Sequence, residues 1–536
     1  MRQIPGVTGA GMESSAALPV PVAHAGPLQS LANYTHMLYA QGRYDEVLDC
    51  AERHEWIAQT LGDRDTARVI LQTRMYVLTE LARYTEAETM GRELIRRAVS
   101  RTARAKASAD LSDVLVRMGR LEEGLHLIAW AMATLESCPR DWRYFSAMSS
   151  VAEPARWAEL YELAEQASVA DRRLLDTDRN RRIILDTQRA ESLLEWGLRL
   201  EHVGRFEEAG VRYRDVIALT RPWQHPEDDS ELLDQAMVHA LLACALTKTG
   251  EFAEAETLAV GAIRFLHATG RRFEARLAHL AYGLALRNAG DFAGAARELT
   301  AAEQLCALAG APRHRLIFQL ELGLIAAEAR PSAAARHLTS ALRAHAEQLW
   351  RLRLDRVAML RQARRRVQLE AEHASADAAA QTDPLTGLAN RRGFDRRMAV
   401  LDGDGAPAEL CLLVVDVDNF KHINDNFSHA VGDDVLREIG HILRTECRAS
   451  DLPARFGGDE FGVFLATDLT TATRIAARMR TSIRDHDWHK TALGLRVTVS
   501  MGLASLLPGM TGEQLFATAD EHLYTAKRAG RDRLAA

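Results

Sequence analysis

The sequence predicts a multidomain chain: an all-α helical-repeat solenoid, then a linking helix of coiled-coil character, then a terminal α/β domain. Three observations carry that reading. A short signature recurs at intervals of about 40 residues through a stretch rich in Ala, Leu, Glu and Arg. From Gln348 to Ala380 the chain has neither Gly nor Pro and is rich in arginine. The remaining carboxyl-terminal residues alternate short apolar runs with helical patterns, as an α/β domain does.

Composition sets the outer limits. The 536 residues are 47% apolar and 26% charged with a formal net charge of −6, an ordinary globular balance that argues against a protein wrapping nucleic acid along its length. Six cysteines (Cys50, Cys138, Cys244, Cys306, Cys411, Cys447) lie far apart without a CxxC pair, so neither a zinc ribbon nor a disulfide framework is expected, and a reducing, cytoplasmic compartment fits. No run approaches the ~18 apolar residues of a membrane span. Residues 1–26 lack the charge and the apolar core of a signal peptide and read as a disordered Gly/Pro/Ala-rich tail, with Met12 an alternative start. Lysine is scarce, five against 62 arginines, so each lysine hints that an ammonium is wanted.

Residues 27–346 carry the signature: Gly42–Glu46, Ala82–Ala87, Gly119–Glu123, Gly204–Ala209, Gly250–Ala255 and Gly290–Ala295. A weaker copy near Ala155-Arg156-Trp157-Ala158-Glu159 would fill the one long interval. The glycine ends a helix in a left-handed turn, the aromatic packs between paired helices, and the following alanine allows close approach. The pattern resembles tetratricopeptide repeats, with an irregular helical bundle as the alternative; such an array implies an unknown protein or ligand partner. Residues 347–381 form the linking helix. Leu354, Val357 and Leu360, then Val367, Ala371, Ala374 and Ala378, make an imperfect heptad line suited to a two-stranded coiled coil. Its arginines, including Arg364, Arg365 and Arg366, read as a solvated face rather than a nucleic-acid stripe, since no aromatics interleave them.

Residues 382–536 form the α/β domain. Glu409 to Asp416 reads as a buried strand followed by one long helix to about Cys447; Leu452–Phe456 and Phe461–Leu465 flank the hairpin dipeptide Gly457-Gly458; a helix spans about Thr471 to Asp485, Leu495–Gly502 is a strand, and a last helix starts near Thr511. Asp416 stands where an apolar strand ends, and Asp459 and Glu460 follow the glycine turn. If the hairpin lies beside that strand, hard carboxylate oxygens converge in a way that suits Mg²⁺ held with substrate phosphates, with Mn²⁺ as the alternative ion.

These points belong to a longer string. Asp383–Arg392, Asp416-Val417-Asp418-Asn419-Phe420-Lys421 with Asn424, Asp425, His429, Gly432 and Asp433, Arg455–Phe461, Val497–Gly502, and Ala519-Asp520 with Tyr524, Ala526-Lys527 and Gly530-Arg531 stand in order. Together they resemble the GGDEF family of diguanylate cyclases, over about Asp383 to Leu534. The resemblance implies a palm-like α/β domain related to nucleotidyl cyclases, which condenses two GTP into cyclic di-GMP and two pyrophosphates as a dimer of domains. It implies that Asp416, the Val417 carbonyl and Asp459 hold the metal and that Asp459 takes the proton of the attacking hydroxyl. For Glu460 a metal contact and an orienting role both stay open. By the same resemblance Asn424 and Asp433 read guanine, His429 touches substrate, and Lys421, Lys527 and Arg531 neutralise the triphosphate. Arg448 and Asp451 look like the family's RxxD product-inhibition site, with Arg478 a secondary contact. Ser428 and Asp532 stand where the family has Gly and Asn.

The expectation is therefore a cytoplasmic, Mg²⁺-dependent diguanylate cyclase. It would form a homodimer through its terminal domain and linking helix, and be regulated by the repeats and by product. The alternative is a catalytically silent receptor for GTP or cyclic di-GMP. The motifs GxxxxGK[ST], HExxH and GxSxG are absent.

Overall fold

A computed structural model describes residues 26–169, 179–227, 232–269, 271, 273–308, 312–401 and 409–536. The tail expected over residues 1–26 thus lies, apart from Gly26, outside the described residues. The chain divides into two compact units between Gln368 and Leu369. Among the described residues no helix is long and apolar enough to cross a membrane.

The first unit is helical throughout. It opens with Gln29–Ala40 and Tyr44–Thr60, ends its run of short helices with Pro312–Ala329, and packs each helix on its sequence neighbours. The signature glycines do turn the chain with positive φ, from +72° at Gly42 to +95° at Gly250, and Ala82 takes the same role at +57°. Five residues beyond each turn the residue is buried: Val47, Ala87, Gly124, Ala209, Ala255 and Ala295. Only small or compact groups allow the second helix of each pair to approach there. The arginine after the turn and the glutamate three residues on form forked ion pairs at Arg43–Glu46, Arg83–Glu86, Arg120–Glu123 and Arg205–Glu208. These exposed pairs explain the charged letters of the signature but, screened by solvent, add little to stability. Phe206, expected in an interhelical cleft, is 63% exposed.

The weaker copy sits four residues later than its sequence suggests. The helix Trp142–Trp157 runs through Ala155 and Arg156, and the left-handed residue is Glu159, at φ +56°. Tyr161 then occupies the aromatic position and Ala164 the buried one, both 1% exposed. A glutamate in glycine's place hid the register.

The helix Ala333–Ala380 carries the linking segment. Its buried residues, Ala346, Arg353, Leu360 and Val367, fall at intervals of seven, whereas Leu354 of the expected heptad line is 59% exposed. This line does not wait for a second helix. Leu360 and Val367 pack into the core formed by Leu125, Ile128, Val151 and Leu163 of the same unit. Arg353 Nε donates to the Glu159 carbonyl at 2.9 Å and its guanidinium pairs with Glu162; Arg356 reaches the Glu159 carboxylate at 2.5 Å, which also holds Arg199 at 2.8 Å. The glutamate that takes the left-handed turn position is the one that anchors the helix.

In the second unit, helices are numbered α1 (Arg391–Val400), α2 (Phe420–Phe427), α3 (His429–Glu446), α4 (Leu469–Arg484) and α5 (Gly512–Arg528). Strands are β1 (Cys411–Val417), β2 (Leu452–Arg455), β3 (Glu460–Leu465), β4 (Val499–Ser505) and β5 (Leu534–Ala535). The sheet order is β2-β3-β1-β4-β5, antiparallel except for β4–β5. β1 is central and fully buried because α3 and α4 cover one face and α1 and α5 the other. The long helix expected after β1 is two helices, broken at Ser428 with φ +124°. The strand expected at Leu495–Gly502 pairs only from Val499, which faces Val417 at the end of β1.

Glu159→Ala leaves Arg199 and Arg356 without their shared carboxylate in a nearly dry site. Loss of roughly 3–5 kcal/mol of local stability is expected, read as faster amide hydrogen exchange over residues 346–367.

Candidate active site

Strand alternation decides what faces what. On β1, Leu412, Val414 and Asp416 point to the α5 side, and Leu413, Val415 and Val417 to the α3 side. Antiparallel register sets Asp416 opposite Glu460 on β3 and opposite Ser500 on β4. Residues opposite in such a pair share a face, with Cβ atoms about 4.5–5.5 Å apart. The backbone N–H of Val417 donates to the Asp459 carbonyl at 3.2 Å, so the glycine turn is tied to the end of β1. Asp416, Val417, Asp459 and Glu460, four residues from two distant segments, thus come together.

The turn is held from outside. Arg455 donates through Nε (3.1 Å) and a terminal nitrogen (2.7 Å) to the Gly458 carbonyl and pairs with Asp383 of the opening motif at 3.2 Å. Lys527, in the last turn of α5, reaches Asp416 at 2.7 Å. It can do so because α5 lies almost on β4: a Cβ at Gly502 would overlap the backbone of Ala519 and Leu523.

The electrostatics follow from this crowding. Burial raises the Asp416 carboxyl above its ordinary pKa; Lys527 opposes that, while Asp459 and Asp418 add to it. Burial also raises Glu460, and the charges of Asp416 and Asp459 push it further. Asp416 and Glu460 both feel the charge of Lys527, the cation paired with this cluster among the described residues. Hard oxygen donors whose mutual repulsion is only partly offset are suited to a divalent ion such as Mg²⁺ or Mn²⁺.

The other expected residues are placed as follows. Lys421 is exposed in the first turn of α2, and His429 and Asp433 are exposed one turn apart on α3. Asn424 packs on Gly432, where a Cβ would overlap its side-chain oxygen. The strained Ser428 lets α2 and α3 meet at that point, and its Oγ caps α3 by accepting from the Val431 N–H at 3.4 Å. Arg531, at φ +57°, is exposed beyond α5. Arg448, Asp451 and Arg478 lie elsewhere, at the opposite end of the β2–β3 ladder from the glycine turn, about 15 Å away at ~3.3 Å per residue. There Asp451 accepts from the backbone N–H of Arg448 (2.9 Å) and of Ala466 (3.1 Å), and Arg478 is paired with Glu446.

Sequence reasoning set Lys527 only against phosphate and missed its pairing with Asp416. It also gave Asp418 no role, although that residue accepts three hydrogen bonds. A buried acid between two strands' ends has no sequence signature beyond its place after an apolar run.

Glu460→Gln removes a charge that the fold disfavours. A carboxyl with a folded pKa above its unfolded value lowers stability once pH exceeds the unfolded pKa, and the penalty fades on acidification. The metal-free variant is therefore expected to melt at higher temperature than the unaltered chain at pH 7, with the gap closing toward pH 4 in thermal scans.

Comparison with known proteins places similarity in the same carboxyl-terminal segment. Residues 380–533 match the family described as Diguanylate cyclase, GGDEF domain. Diguanylate cyclase DgcP of Pseudomonas aeruginosa is 44% identical over 158 residues, covering 28% of this chain and 23% of that protein. Response regulator PleD of Caulobacter vibrioides is 42% identical over 162 residues, covering 28% of this chain and 35% of that protein. The chain therefore spans about a quarter to a third of the length of these two relatives. A crystal structure of the coiled coil and GGDEF domain of DgcB from Caulobacter crescentus, in complex with c-di-GMP, is 29% identical, covering 33% of this chain and 97% of that one, with a TM-score of 0.29. The carboxyl-terminal segment of this chain, residues 380–533, is a GGDEF domain.

Proposed function

We propose that this protein is a cytoplasmic diguanylate cyclase that condenses two GTP into cyclic di-GMP and two pyrophosphates. The observation that carries the reading is the cross-strand placement of Asp416 against Glu460, with Asp459 tied to the end of β1. Phosphoryl transfer asks a protein mainly for positioning and charge neutralisation. Asp416, Asp459, Glu460 and the Val417 carbonyl would hold Mg²⁺, or Mn²⁺ in its place. When bound, that ion neutralises phosphate oxygens and lowers the pKa of a coordinated hydroxyl.

The chain's own residues supply the rest. Asp433 accepts from guanine N1–H and N2–H, a donor pair adenine lacks, and Asn424 lies beside it against Gly432. His429 stands one turn before Asp433 on the same face of α3. Lys421, Lys527 and Arg531 bring three positive charges to the triphosphate. Asp459 accepts the proton of the attacking 3′-hydroxyl. Each domain holds one GTP, so closing both phosphodiester bonds requires two domains face to face as a homodimer.

The array, read as a tetratricopeptide-like solenoid, is the regulatory part. Its hold on the linking helix through Glu159 and the core around Leu360 occupies Val357, Leu360 and Val367 of the line a coiled coil would use, while Leu354, Ala371, Ala374 and Ala378 stay exposed. A protein or small ligand that binds the array shifts the helix only by its differential affinity for the docked and released states. Product binding at Arg448, Asp451 and Arg478 provides the second control, and there cyclic di-GMP must compete with Glu446 for Arg478.

With purified full-length protein, radiolabelled GTP and Mg²⁺, cyclic di-GMP is the expected product. Asp459→Ala is expected to reduce its formation at least about 10³-fold with an unchanged far-ultraviolet dichroism spectrum; robust synthesis by that variant refutes the reading. GTP binding without turnover by the unaltered chain would mark a silent receptor instead. Arg448→Ala is expected to raise the product concentration giving half inhibition about tenfold or more, since it removes a charged ligand group; an unchanged inhibition curve removes the RxxD assignment.

A further inference from the structure

Asp418 is a buried carboxylate with an unusual set of partners, all of them neutral donors. Its Oδ1 accepts from Ser500 Oγ at 2.6 Å; its Oδ2 accepts from Thr498 Oγ1 at 2.8 Å and from the backbone N–H of Asp532 at 3.0 Å. Ser500 and Thr498 belong to β4 and the segment entering it, so the first two bonds fasten Asp418 to the sheet. The third reaches a turn 114 residues away.

That turn is strained. Gly530, Arg531 and Asp532 have φ of +112°, +57° and +41°, so two side-chain-bearing residues in succession occupy the left-handed region. Strain of this kind persists only where the surroundings over-determine it. Here the surroundings are Asp418 on the N–H of Asp532, and Arg480 of α4, which donates to the Asp532 carbonyl at 2.5 Å and to its carboxylate at 3.0 Å. The N–H of Met501 then binds the Arg533 carbonyl at 2.9 Å and carries the chain into β5. Every one of these bonds grips the residues after Arg531. The Arg531 side chain stays exposed, with no ion pair among the described residues.

We propose that Asp418 is a positioning residue. Through Asp532 it holds the turn that aims Arg531 at the nucleotide triphosphate, and it touches neither substrate nor metal itself. Three donors converge on its two oxygens, and the backbone N–H of Asp532 can only donate, so removing the side-chain oxygens leaves that N–H without its acceptor. The aspartate standing where the family has asparagine after Gly530-Arg531 acquires a role in the same arrangement, since its carboxylate takes the Arg480 guanidinium.

This inference rests on the nucleotide site of the preceding section, and its test separates the two. In the full chain, affinity for a non-hydrolysable GTP analogue with Mg²⁺ is measured by titration calorimetry, and kcat and KM are measured for GTP. The set comprises the unaltered protein, Asp418→Ala, Arg531→Ala and the double variant. Asp418→Ala is expected to weaken analogue binding and raise KM about tenfold, with kcat within about twofold. That loss is expected to vanish in the Arg531→Ala background, because a residue acting through Arg531 has nothing left to position. Additive effects, or a fall in kcat at unchanged KM, overturn the proposal. Should Asp418→Ala not fold, Arg480→Gln, which releases Asp532 from the other side, must show the same dependence on Arg531, and independence overturns it. An unaltered chain that binds the analogue but makes no cyclic product refutes the cyclase reading while the binding cycle still decides on Asp418; a chain with no affinity for the analogue overturns both.

Discussion

Asp416, next to last in the most buried strand of the terminal unit, faces Glu460, and this placement of like charges in a half-dry site is the constraint around which its neighbours are built. Left alone, two such carboxyl groups would favour protonation or local opening. Lys527 answers one of them, and it reaches Asp416 only because α5 lies nearly in contact with β4 at Gly502. Arg455 and Asp383 hold the glycine turn from its outer side, so Asp459 cannot swing away from the cluster. The rigidity is local and costs little, since each restraint is a hydrogen bond or a single close approach. What results is a preorganised set of hard donors.

A different solution operates in the helical unit. Its turns repeat, and at the six signature turns a glycine or alanine adopts the left-handed conformation. The weaker copy uses Glu159. Its backbone strain is balanced by three arginines that come from two separate helices, one of them the linking helix. A strained position that gathers buried charge partners is where a fold stores the capacity to rearrange. The heptad line of the linking helix, buried on the array through Leu360 and Val367, is coupled to that position by sequence proximity and by Arg353 and Arg356.

Much of this was legible beforehand, for identifiable reasons. Periodicity and turn glycines are local properties, so the helical array, the hairpin at Gly457-Gly458 and the buried strand before Asp416 could be read from adjacent residues. The convergence of Asp416 with Asp459 and Glu460 was anticipated because a strand end and a hairpin turn are both places where acids become exposed to a ligand. Less accessible was anything depending on which partner a segment meets. The weak repeat copy was misplaced by four residues because Glu159 does what glycine does elsewhere. The strand before Ser505 was drawn too early because its pairing stops where β1 stops. The helix after β1 was drawn unbroken because serine seldom adopts φ near +124°.

Sequence alone determined most element types, the repeat period and which acids, amides and cations stand at the candidate site, since each depends on residue type and short spacing. The tertiary structure decided the pairings: Lys527 with Asp416, Arg478 with Glu446, Asp418 with Asp532, and the linking helix's apolar line with its own array. All of these join segments 30 or more residues apart. Which of many chemically equivalent partners such groups meet is set by strand register and helix packing, quantities that no local pattern encodes.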